Sequence, residues 1–129
     1  MPAEARDQRG SSAVELALLL PIALLLLLAF VQVGALATDQ LLLTQASRAG
    51  AREAAVQPSE EAVADAVRSA AAGLEADRIV VDVVWAGERG SPVTVSVAYE
   101  VAMASALAGW LLPDSVTLRA SATMRQEFA

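Results

Sequence analysis

Few side chains in this sequence are equipped for chemistry. It has no Cys and no His, and all nine of its basic residues are Arg. Thiol nucleophiles, imidazole bases, disulfides, most zinc sites and any Ser–Lys dyad are thereby excluded. What remains is carboxylate chemistry. Glu60 and Glu61 follow Ser59 and read as the acidic first turn of a capped helix. Glu75 and Asp77 read as part of a linker. No glycine-rich phosphate loop follows a strand pattern, and no acidic cluster marks a metal site. The sequence therefore predicts no enzyme, no metal and no cofactor. Glu15 stands apart, because it is the only charge at the start of a long apolar run. Carried to a bilayer centre, a carboxylate costs ~2.5–3.5 kcal/mol. Glu15 is thus either an ordinary boundary charge at the lipid headgroups or one half of an ion pair.

The run that follows, Leu16–Ala37, has a single polar side chain, Gln32. As a helix it is ~33 Å long at ~1.5 Å per residue, which matches a hydrocarbon core of ~30 Å. Pro21 lies inside it and invites a break or bend, though membrane helices tolerate proline. Met1–Gly10 is short and polar and carries Arg6 and Arg9, so this flank reads as cytoplasmic. Beyond the run, helical character continues from Thr38 to Gln57. Ala46, Gly50 and Ala54 recur every four residues on one face, the small-residue spacing that lets two helices approach closely. Arg48 and Arg52 share another face. The pattern predicts one long helix from about Ser12 to about Val56.

Pro58-Ser59 interrupts this helix. Ala62, Val63, Ala66, Val67 and Ala70 then repeat with helical period, and Gly73 is the expected stop. The rest alternates with period two. Ile79, Val81, Val83 and Trp85 form one set, and Val93, Val95, Val97, Tyr99 and Val101 a second. Val116, Leu118, Ala120, Ala122 and Met124 form a third. The first two runs, joined by Ala86–Pro92, look like a hairpin. Three strands polar on one side predict a half-exposed antiparallel sheet. Met103–Pro113 is apolar but too short to span a bilayer, and its Trp110 is either an interface anchor or core.

The chain has 129 residues, enough for one small domain beyond the apolar run, and a net charge of −6 without a basic stripe, which argues against nucleic-acid binding. The expected class is α+β: a single-pass N-terminal transmembrane helix extending into a long outer helix, a second short helix and a three-stranded antiparallel sheet. The expected divisions are a cytoplasmic leader at 1–10, the membrane and extended helix at 11–57, and an extracytoplasmic domain at 58–129.

Arg9-Gly10-Ser11-Ser12-Ala13-Val14-Glu15, directly before the apolar run, resembles the processing site of type IV pilin-like proteins. With Leu20-Pro21, Ala46-Ser47-Arg48-Ala49-Gly50-Ala51-Arg52 and Ala122-Thr123-Met124-Arg125-Gln126-Glu127, the resemblance narrows to TadE-like pseudopilins of the tight-adherence (Flp pilus) system. The departure is Leu16, where many members have an aromatic residue. The resemblance implies cleavage after Gly10 by a prepilin peptidase, with Ser11 as the new N-terminus and Glu15 as the fifth residue. It also implies other pilin-like subunits and inner-membrane platform proteins as partners, with the lipid bilayer as solvent for the helix. In such a bundle the Glu15 carboxylate would pair with the freed α-ammonium of a neighbouring subunit. Two rival outcomes follow from the residues alone. An unprocessed chain would be a plain anchored binding domain. Cleavage after the Ala35-Leu36-Ala37 pattern would release a module beginning at Thr38, although the apolar stretch exceeds the usual 7–15 residues of a signal.

Overall fold

The computed structural model describes residues 3–103 and 113–127, with side chains from residue 10 onward. The elements are α1 (Ala3–Val56), α2 (Glu60–Ala70), a single 3-10 turn (Ala76–Arg78), and strands β1 (Ile79–Trp85), β2 (Pro92–Ala102) and β3 (Ser115–Arg125). The sheet is antiparallel in the order β1-β2-β3, with Val83 opposite Val95 and Val95 opposite Ala122. This is the expected α+β class. The expectations for Met103–Pro113, Trp110 included, fall largely on 104–112, outside the described residues.

The chain divides into two compact units, Met1–Ala35 and Leu36–Ala129. In the first, α1 begins at Ala3, well before the expected Ser12. Ala, Glu, Arg and Gln dominate this stretch and are all good helix formers, so propensity favours extending the helix back through residues 3–11. The helix also runs through Pro21 without a break in assignment. Proline removes one i→i−4 hydrogen bond, which is tolerable where the remaining backbone is satisfied internally. The apolar side chains of this unit stand exposed, Leu16 at 67% and Phe30 at 75%. In water each such side chain forgoes ~1.5–3 kcal/mol of burial.

The second unit has a conventional core. Roughly the last four turns of α1 contribute Leu43, Ala46, Ala51, Ala54 and Ala55, and α2 contributes Val63 and Val67. Both helices pack on the inner face of the sheet, where Val93, Val95 and Val97 are buried and Ile79 and Tyr99 nearly so. The opposite face carries Val80, Asp82, Ser96 and Arg119, in keeping with the alternation. α1 lies beside β3. The Gln40 Nε2 donates to the Arg119 carbonyl at 2.8 Å, and the Glu127 amide donates to the Ala55 carbonyl at 2.8 Å. Trp85 Nε1 donates to the Ala54 carbonyl at 3.4 Å, which ties the end of β1 to the same stretch of helix.

The local stops have identifiable causes. Pro58 follows the end of α1 and cannot donate to its last turn. Ser59 caps α2, its Oγ accepting from the Ala62 amide at 3.3 Å while Glu60 and Glu61 fill the acidic first turn. α2 ends at Ala70, three residues before the expected Gly73, with the Ala71 amide closing on the Val67 carbonyl. In the β1–β2 turn Gly90 has φ +87, and its amide donates to the Gln126 carbonyl at 3.1 Å, so glycine there serves both the left-handed backbone and the tie to the C-terminus.

Replacing Ser59 by Ala removes the α2 cap, with an expected loss of ~1 kcal/mol in the unfolding of the second unit. Asp at this position should restore most of it. Thermal unfolding followed by near-UV circular dichroism checks both; an unchanged midpoint for the Ala variant would contradict the capping role.

Candidate processing site and packing face

Glycine occupies two notable positions on α1, and the structure separates them. Gly50 lies where α1, α2 and β2 meet. A Cβ built on it would come within 2.6 Å of Val67 Cγ2, 3.1 Å of Val95 Cγ1 and 3.5 Å of Val63 Cγ1. The first distance lies far inside van der Waals contact, and the valine side chain is β-branched and stiff. Ala46 and Ala54, one turn to either side, are fully buried. All three members of the small-residue stripe are therefore consumed in packing within their own unit, and the helix that Gly50 admits so closely is α2 of the same chain. A buried stripe flanked by exposed Arg48 and Arg52 makes this part of α1 one-sided.

Gly10 is the opposite case. It is exposed and lies within the helix, its φ is not in the left-handed region, and an added Cβ would meet nothing within 4 Å among the described residues. Glycine in a helix interior is worse than alanine by ~1 kcal/mol. No packing contact among the described residues returns that loss. Ser11 and Glu15, also exposed, are four residues apart and so lie on one helix face. The sequence-derived residues thus form two groups in different units: Gly10, Ser11 and Glu15 in the first, Ala46, Gly50 and Ala54 in the second. Sequence reasoning missed the buried face formed by Leu43, Ser47, Ala51 and Ala55 beside the stripe. An alanine-rich segment buries small residues over a broad arc, and a search for one four-residue repeat finds only part of it.

The helix Gly10–Val56 is long and apolar enough to cross a membrane, and the most apolar part of it is wholly unburied. The family model described as TadE-like protein matches residues 10–52, from Gly10 to Arg52. Over these residues, about a third of its length, the chain is similar to TadE-like proteins. The match covers the apolar run and both groups of site residues except Ala54, and stops before α2 and the sheet. Comparison with curated proteins found no match, and comparison with solved structures found none either. Among the described residues no cluster of His, Cys, Asp or Glu could hold a metal ion.

The close approach at Gly50 gives a sign-reversing test. Gly50→Ala gains ~1 kcal/mol of helix propensity, yet it should destabilise the second unit, since overpacking a tight core typically costs ~1–3 kcal/mol. In a Val67→Ala background the same substitution should become neutral or stabilising. Urea titrations of the four proteins in this cycle check it; equal effects of Gly50→Ala in both backgrounds would show that Val67 is not the obstacle.

Proposed function

We propose that the protein is a pilin-like structural subunit, a minor pilin or pseudopilin of the tight-adherence (Flp pilus) system, with no catalytic role. α1 anchors it in the cytoplasmic membrane with the N-terminus inside, and the sheet-bearing unit lies outside. A prepilin peptidase cuts after Gly10 and exposes Ser11. The observation that carries this reading is Gly10 itself: the TadE-like match begins at this residue, and among the described residues no turn, positive φ or close approach calls for a glycine there. A glycine that costs helix stability and packs against nothing is explained by an external reader of the sequence. The leader's Arg6 and Arg9 favour the cytoplasmic side for the residues to be removed.

Maturation supplies the missing half of an ion pair. Cleavage creates an α-ammonium on Ser11, four residues from the Glu15 carboxylate. In a bundle of these helices the carboxylate of one subunit meets the ammonium of its neighbour, which offsets the cost of a charge at the membrane edge and fixes the axial register. The exposed apolar surface of the first unit then serves twice, first as the lipid anchor and afterwards as the lateral contact with other pilin-like subunits. Inner-membrane platform proteins are the remaining partners that such assembly requires.

Glu15→Gln separates maturation from assembly. In cells containing the peptidase, the variant should lose its first ten residues as the wild type does and fold its outer unit normally. It should be recovered with other pilin-like subunits at a tenth of the wild-type level or less, read by crosslinking and quantitative blotting of membrane complexes. Normal incorporation of Glu15→Gln would remove the register role from this carboxylate.

A further inference from the structure

The sheet has two edges, and the chain treats them differently. At β3 α1 lies alongside, and its Gln40 side chain donates to one outward group, the Arg119 carbonyl, at 2.8 Å. At β1 no such contact exists among the described residues. Which groups of β1 face outward follows from the hydrogen-bond phase. The Ala86 amide donates to the Pro92 carbonyl, so the even-numbered residues of β1 pair with β2 and the odd-numbered ones point their N–H and C=O groups away from it. Val81 and Val83 thus hold unpaired donors and acceptors along an apolar strand whose outer-face neighbours, Val80 and Val84, are 65% and 56% exposed. An edge of this kind is a template for another strand.

α2 stands beside this edge and leaves a groove of about 400 Å³ between itself and β1. Val81, Val83 and Ala64 line it with apolar surface, and Glu60, Glu61 and Asp82 contribute carboxylates. The cation in the groove is Arg68, which is already 3.6 Å from Asp65. We propose that this groove is a docking site for an extended, basic peptide segment of another protein, which adds to β1 as a fourth strand. Backbone pairing with Val81 and Val83 supplies the register. Alternate side chains of the segment face Ala64 and the valines, and the intervening ones face Asp82, where a cation is favoured by cross-strand pairing. The edge makes the site, and the carboxylates select its occupant. A second copy of this chain offers a poorer strand: β2 is central, and β3, which bears Arg119 and Arg125, has α1 beside its outer edge, tied there by the bond from Gln40 to the Arg119 carbonyl. The site lies wholly within Leu36–Ala129 and depends neither on membrane insertion nor on cleavage after Gly10.

The test uses the full chain in neutral detergent micelles and three fluorescent peptides. They are acetyl-Ser-Val-Arg-Val-Arg-Val-Ser-amide, the same peptide with Glu for Arg, and the Arg peptide N-methylated at alternate residues, which keeps its charge but cannot pair along one edge. The Arg peptide should bind and slow hydrogen exchange at the Val81 and Val83 amides. The Glu peptide should bind roughly tenfold more weakly or worse, the N-methylated peptide should not bind, and Asp82→Arg, a change at an exposed position, should reverse the charge preference. Equal binding of the N-methylated and parent peptides would reduce the effect to bulk electrostatics and overturn the proposal. So would absence of binding, unchanged exchange at Val81 and Val83, or self-association of the chain through β1 without peptide.

Discussion

The closeness of α1 to α2 and the sheet is the constraint on which the second unit depends. Its core is thin, built from valines of the sheet and α2 on one side and from alanines, Gly50, Ser47 and Leu43 on the other. Small side chains bury little area each, so such a core is stable only if backbones come close and many short contacts form at once. Gly50 is a point of very close approach, and the space there is less than a single methyl group. The other ties arrange themselves around that contact. Trp85, Gln40 and Glu127 all bond to or from α1 near its packed face, and each orients a strand end relative to the helix.

This use of α1 shapes what the molecule can offer to others. In the second unit the small-residue face is spent on the chain's own fold, leaving the Arg48–Arg52 side, the outer face of the sheet and the β1 edge. In the first unit the case is reversed, since among the described residues the apolar run from Leu16 onward leaves its large side chains mostly exposed. A helix that is hydrophobic all round demands an apolar environment. Glu15 stands at the edge of this apolar run and Gly10 five residues earlier.

Much of this fold was legible in the sequence, for reasons that are local. Each strand has one buried and one exposed face, so Ile79–Trp85, Val93–Val101 and Val116–Met124 carry the period-two signal, and their ends were off by a residue or so. Ser59 announced α2 because capping depends on a side chain and an amide three residues apart. The start of α1 at Ala3, the early end of α2 and the 3-10 turn at Ala76–Arg78 were not foreseen. They depend on marginal propensities that no periodicity records. Long-range choices were equally hidden: nothing in Gln40 or Arg119 alone signals that one caps the strand edge of the other. The repeat of Ala46, Gly50 and Ala54 signalled close helix packing, but the identity of the partner, α2, emerges only from the folded chain. Gly10 illustrates the converse, a residue for which no contact among the described residues calls for a glycine.

The central claim is that the chain is read and cut at Gly10, and the mature N-terminus tests it most directly. Intact mass and N-terminal sequencing of the protein purified from cells that contain a prepilin peptidase should show a chain beginning at Ser11. A chain beginning at Met1 or Pro2 would contradict the account and leave an unprocessed anchor. One beginning at Thr38 would contradict it in a different way, by showing that the apolar helix is a removable signal.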